Sequence, residues 1–177
     1  MTLGNLHFRS TNRSGFEKRA APSRRSVILM NTTSEGSGFS SDEKAAMKQR
    51  ADELRSTKGL KGAAKQAREL EACVDAIDAL TGIDREVATA FHRIVAEEAP
   101  TLRPKTFYGF PAYADADDKV VMFVQPKSKF DTRYPTVNFD EKANLDDGDM
   151  WPTSFAVVAV TDAVEKRLRA LVKQAVS

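Results

Sequence analysis

The run Lys105-Thr106-Phe107-Tyr108-Gly109-Phe110-Pro111-Ala112-Tyr113 divides this chain into two halves with different apolar periods. Before it, apolar residues recur at spacings of three and four, the period of an amphipathic helix. After it they come in short, dense runs of strand length. A chain that changes period once in this way folds as α+β, with helices first, then a sheet with short connections, then whatever closes the core. The run itself carries four aromatics, a glycine and a proline, more than a connecting loop needs. A second dense stretch, Asn144-Leu145-Asp146-Asp147-Gly148-Asp149-Met150-Trp151-Pro152, holds the sole tryptophan and three closely spaced carboxylates.

The helical half begins at Ser40. Ser40 with Glu43 three residues on satisfies a capping box and predicts a helix over about Asp42 to Ser56. That helix is strongly charged, with a thin stripe of Ala46, Met47, Ala51 and Leu54, and a linker follows to about Gly62. Leu70, Cys73, Ile77 and Leu80 form one face of a second helix. Asp84 is expected to cap a third, carrying Val87, Phe91, Ile94 and Val95, and the two make an antiparallel hairpin.

Four strands are expected beyond it. Thr106 to Phe110 with Ala112 to Ala114 reads as one extended piece broken at Gly109 and Pro111, a pattern that suits a bulge. Lys119 to Gln125 is apolar on both faces, as a central strand is. Arg133 to Phe139 is placed at an edge because Pro135 cannot donate to a ladder. Ser154 to Val160 is the last strand, and Thr161 caps a closing helix. Short connections favour antiparallel pairing. The expected architecture is an antiparallel sheet of about four strands packed with an N-terminal helical hairpin and a C-terminal helix.

Composition bears on the ends of the chain and on partners. With 177 residues, 41% of them hydrophobic and 29% charged, one core-forming domain with an appendage is expected. Residues 1–39 lack either apolar period and are expected to be a disordered basic tail. Within residues 1–29 six basic side chains, Arg9, Arg13, Lys18, Arg19, Arg24 and Arg25, face one acid, Glu17. Three accounts fit this tail: a transit peptide, a twin-arginine signal with too short an apolar stretch, or a gene start placed upstream of a true start at Met30. Since the whole chain carries only +2, the remainder is mildly acidic, which argues against nucleic acid as the partner of the globular body. No apolar run reaches the length of a membrane span. A single cysteine, Cys73, makes no internal disulfide and fits a reducing, cytoplasmic setting.

Three sets of residues are candidates for chemistry. Asp115, Asp117 and Asp118, and separately Asp146, Asp147 and Asp149, offer oxygen ligands suited to hard cations, although aspartate also simply favours turns. Lys105, Tyr108, Tyr113 and Trp151 combine apolar bodies with polar tips, the mixture that lines small-molecule pockets. Lys61, Lys65 and Arg68 read as a solvated helix face. No second histidine in the body joins His92 to complete a zinc site, and no glycine-rich phosphate loop is present.

At the Lys105–Tyr113 run, at Val120 to Pro126 and at Asp146 to Pro152, the chain resembles the YdhG-like family of small bacterial proteins. The likeness spans about Leu70 to Ser177, and the domain it implies covers residues 63–177, behind a charged helix and linker over 40–62. Most of that family is uncharacterised. One branch is described as a frataxin-like intracellular iron chaperone, which the resemblance extends to this chain as a non-enzymatic role. It implies iron as cargo, surface carboxylates as ligands with Asp146, Asp147 and Asp149 foremost, and iron-accepting assembly proteins as partners. The alternative is a small-molecule binding module, or an unrecognised enzyme, with an aromatic and lysine pocket around Lys105, Tyr108, Tyr113 and Trp151.

Overall fold

Among the described residues four helices and five strands follow one another as the two periods require. The computed structural model describes residues 39–177; the expected basic tail and Met30 lie outside the described residues. Helix α1 spans Ser41–Ser56, α2 Gly62–Asp78, α3 Gly82–Glu98 and α4 Asp162–Ala175. Strands β1 Arg103–Phe107, β2 Phe110–Ala114, β3 Val120–Gln125, β4 Thr136–Phe139 and β5 Ser154–Ala156 pair antiparallel in chain order. The class is α+β, with five strands where about four were expected.

The fifth strand comes from the aromatic run. What reads as one bulged strand is a hairpin: Phe107 pairs with Phe110 across a two-residue turn at Tyr108 and Gly109. Both turn residues have positive φ, 54° and 74°, the left-handed pair that matches strand twist in such a turn. Tyrosine at the first position carries none of the usual Asn-Gly or Asp-Gly signal. The bulge exists, but further on, between Tyr113 and Ala114 where β2 meets β3. Pro111 sits opposite Thr106 in the pair next to the turn, and the β2–β3 register begins only at Ala112. Its missing N–H therefore interrupts no ladder.

Strand β4 is another correction. Pro135 falls just before it, and β5 covers its outer side through Val137 opposite Phe155, so β4 is interior. The Pro135 carbonyl still accepts from Val157 N at 3.1 Å. Strand β3 is central, as its two-sided apolar pattern requires.

The core gathers α2, α3 and α4 on this sheet. Cys73 and Ile77 from α2, Phe91 and Ile94 from α3, and Val172 from α4 are buried with Met122, Val124 and Val137 of the sheet. Phe91 stands edge-on to Tyr113 and to Phe139, with ring centroids 5.7 and 6.5 Å away. Burying one such ring contributes roughly 1.5–3 kcal/mol. No described helix is long and apolar enough to cross a membrane.

The helix ends divide into expected and unexpected. Ser40 and Glu43 form the capping box, with Ser40 N donating to Glu43 Oε2 at 2.7 Å and Glu43 N to Ser40 Oγ at 3.2 Å. Thr161 Oγ1 caps α4 at Val164 N. Asp84 does not cap α3, which starts at Gly82 after Thr81. Its buried carboxylate accepts instead from Lys127 N at 2.8 Å and Ser128 N at 3.0 Å, the opening of a 3-10 helix at Lys127–Lys129.

Candidate polar cleft at Lys105

Helix α2 carries an acid in its buried stripe. Glu69, Cys73 and Ile77, spaced four apart, are its three buried residues, whereas Leu70, expected on that stripe, is 43% exposed. The stripe thus delivers a carboxylate to the sheet edge, where β1 presents Lys105. Both are nearly fully buried, at 6% exposure each.

The β2–β3 turn supplies the third group. Asp115 Oδ1 accepts from Asp117 N and Lys119 N at 2.9 Å, an Asx-type turn that folds the loop on itself. Arg103 braces it through the Asp115 carbonyl at 2.6 Å. The turn leaves Asp118 in the left-handed region, φ 66°, a conformation aspartate tolerates better than most residues. From there Asp118 accepts from Lys105 Nζ at 2.6 Å and from Lys65 Nζ at 2.9 Å. Burial alone would raise the Asp118 pKa, but the two ammonium groups overcome it and hold the carboxyl at about 2. The Lys65 ammonium is raised in return, first by its bond to Asp118 and then, against burial, by Glu69.

Glu69 is the least satisfied member. Its Oε1 lies 3.5 Å from Lys105 Nζ and 3.6 Å from Lys65 Nζ, beyond good hydrogen-bond distance. Its Oε2 is buried with no hydrogen-bond partner among the described residues. Glu69 lines a cavity of about 80 Å³ with Lys65, Arg68, Lys105 and Asp118, closed on one side by Arg50 and Glu53 of α1.

Helix α1 is fastened there by polar contacts. Glu53 Oε1 accepts from Gly109 N at 2.6 Å, and Arg50 donates to Glu53 Oε2 at 3.0 Å. The Arg50 guanidinium lies 5.3 Å from the Phe107 ring centroid. Lys129 Nζ meets Gln49 and donates to the Tyr108 carbonyl at 2.6 Å. Only Ala46 of α1 is buried.

Of the candidates singled out from the sequence, Lys105 and Asp118 belong to this cleft, joined by Lys65 and Arg68, which read as a solvated face. Tyr108 is exposed in the hairpin turn. Tyr113 pairs with Pro104 while Lys105 pairs with Ala112, so their side chains leave opposite faces of the hairpin. The Tyr113 hydroxyl is fully buried 3.1 Å from His92 Nδ1, and burial pushes its pKa well up. Trp151 is half-buried and packs against the apolar core. The expected aromatic pocket is therefore not assembled, because alternation along β2 and the tight turn send its members apart. Asp146, Asp147 and Asp149 are exposed on the β4–β5 connection. Among the described residues no three His, Cys, Asp or Glu side chains gather to hold a metal ion, so the donor set expected for iron is not brought together.

Sequence reasoning missed Glu69 and read Lys65 as solvated. The available signal was Glu69 four residues before Cys73 and eight before Ile77, an acid in register with buried positions. Cys73, beside the cleft, is inert: burial pushes its thiol up to about 12, against weaker lowering by the Ala112 and Lys105 backbone. No family model, no curated protein and no solved structure matches the chain.

Proposed function

We propose that this chain is a binding protein for a small polar molecule, held in the cleft where Glu69, Lys105 and Asp118 meet. One observation carries the reading: a carboxylate oxygen, Glu69 Oε2, is buried beside a cavity and left without a partner. A buried charge is costly unless paired and hydrogen-bonded. Native interiors rarely leave such an atom alone, and the exceptions have a cause such as strain, catalysis or a bound species. Asp118 takes the short bonds from both lysines, at 2.6 and 2.9 Å, and the two ammonium groups stand 3.5 and 3.6 Å from Glu69 Oε1, with neither bonded to Oε2.

The arrangement suits binding better than covalent catalysis. A nucleophilic lysine needs a free lone pair, and Lys105 Nζ is engaged by Asp118 with Glu69 alongside. The iron-carrying role implied by the resemblance to YdhG-like proteins rests on surface carboxylates that stand apart, and it is the weaker reading.

The test is amide spectroscopy of the isotope-labelled full chain against a panel of small amines, carboxylates, polyols and amino acids. Saturable shifts at Glu69, Lys105 and Asp118 from at least one class are expected. A panel that moves none of these amides removes the binding role. Ferrous iron titrated anaerobically, beside an Asp146, Asp147, Asp149 to Ala triple variant, tests the iron reading separately.

A further inference from the structure

The cleft's charges point to one class of ligand. Resting on the binding role just given, we propose that the occupant is a small ammonium carboxylate, its ammonium donating to Glu69 and its carboxylate turned toward Arg68. Four cationic and three carboxylate side chains line the cavity. A simple amine would satisfy Glu69 but add positive charge to a surplus of it. A simple carboxylate would meet the cations yet repel Glu69 and leave Oε2 unpaired. A polyol would donate to Glu69 but give the surplus cation no anion. A zwitterion answers both ends and changes the net charge by nothing.

The anion end falls to Arg68 because it is the cation most easily released. Arg68 pairs with Glu71 at 2.6 Å, but the two side chains are 47% and 61% exposed, and such pairs are held by little. Arg50, in contrast, is tied to Glu53, which also holds the Gly109 amide. The cavity, of about 80 Å³, restricts the occupant to a small molecule. Glycine and β-alanine are the smallest ligands of that class.

The experiment titrates the labelled full chain with glycine and β-alanine, and at matched ionic strength with methylamine, acetate and glycerol. We expect glycine or β-alanine to shift the Lys65, Glu69 and Lys105 amides saturably, with affinity at least tenfold above each comparator. Glu69→Gln should weaken that affinity at least tenfold. Arg68→Gln, on an exposed side chain that leaves the core alone, should weaken it about threefold or more without changing the methylamine response. Glycerol binding as well as glycine would overturn the zwitterion while leaving the cleft a binding site, and so would acetate matching glycine. Zwitterion shifts that survive both substitutions unchanged would overturn it too, by placing the ligand elsewhere. Silence from every probe would remove both the zwitterion and the binding role.

Discussion

Two buried carboxylates, one on each helix of the helical hairpin, are treated in opposite ways. Asp84 is 2% exposed, and each of its oxygens accepts a backbone N–H, at 2.8 and 3.0 Å. Glu69 is 6% exposed, with one oxygen loosely shared between two lysines and the other unpartnered. The first acid holds the fold together: it closes the chain around the 3-10 helix after β3. The second is no better placed for stability than an apolar side chain would be. Under the proposed binding role, a carboxylate kept in so unfavourable a position, next to a cavity, belongs to a site rather than a strut.

The largest expected effect lies on the structural side. Asp84→Ala removes the acceptor of two part-buried hydrogen bonds, from Lys127 N and Ser128 N, and should cost about 3 kcal/mol. Asp84→Asn keeps one acceptor and should cost about 2 kcal/mol, since an amide nitrogen then faces a backbone donor. Urea unfolding followed by Trp151 emission reads both, because that ring packs half-buried against the core. A loss below about 1 kcal/mol for Asp84→Ala would deny the strut.

Next comes Lys105, where the two sides meet. Lys105→Met removes a buried cation and leaves Glu69 with only Lys65, at 3.6 Å. Breaking one partner from a buried pair is usually worth 3–5 kcal/mol, but Asp118 is partly exposed, so about 2 kcal/mol is expected. Adding Glu69→Gln should return at least half of that loss in the same unfolding assay. No recovery would mean that Glu69 is not the group Lys105 neutralises.

Most of the architecture was legible from periodicity and capping. Ser40 with Glu43, Thr161 and the two-sided apolar run of β3 have local causes, and each appears where the sequence puts it. What was not legible depends on where distant groups meet. Tyr108 adopts a positive φ that tyrosine rarely takes, in a hairpin turn held by Lys129 at the Tyr108 carbonyl and by Glu53 of α1 at Gly109 N. Asp84 reads as a cap, the commonest use of an acid at a helix start, while its partners lie more than forty residues on. The polar tips of Tyr113 and Trp151 suggested a pocket, yet core packing claimed both bodies. Glu69 sat in the stripe unnoticed because Leu70 beside it looked the better core residue.

The hairpin turn links the comparison to α1. Gly109 has φ 74°, and a Cβ there would meet the ends of the Gln49 and Lys129 side chains, which are flexible enough to move. Gly109→Ala should therefore cost about 1 kcal/mol, mostly from the left-handed backbone. Amide exchange across α1 should quicken more than exchange across α3, because polar contacts at this turn, Glu53 with Gly109 N and Gln49 with Lys129, fasten a helix of which only Ala46 is buried. Equal quickening in both helices would show that α1 is not a separately fastened element.

A smaller effect belongs to acid. Folding lowers the Asp118 pKa from 3.8 to about 2, so between those values the unfolded chain binds more protons than the folded one. The contribution is whole above pH 3.8 and is lost as pH falls through about 2. With the Asp118 side chain 41% exposed, solvent screening limits it to less than about 1 kcal/mol. Asp118→Asn should flatten the fall in stability between pH 4 and 2 relative to the parent chain; an unchanged slope would assign that fall to other acids.

The smallest expected change is the sharpest. Glu69→Gln keeps the shape of the side chain and removes a charge whose Oε2 has no partner and whose Oε1 is held only at 3.5 and 3.6 Å. The lost attraction to two lysines and the relieved burial of charge should nearly cancel, leaving stability within about 0.5 kcal/mol of the parent. Asp84→Asn, the same chemical change at similar burial, should cost about 2 kcal/mol. If both substitutions cost the same, Glu69 is a structural carboxylate satisfied by solvent, and the contrast between strut and site is gone. If only Asp84→Asn destabilises, the charge on Glu69 serves something other than the fold, and the cleft beside it is where to look.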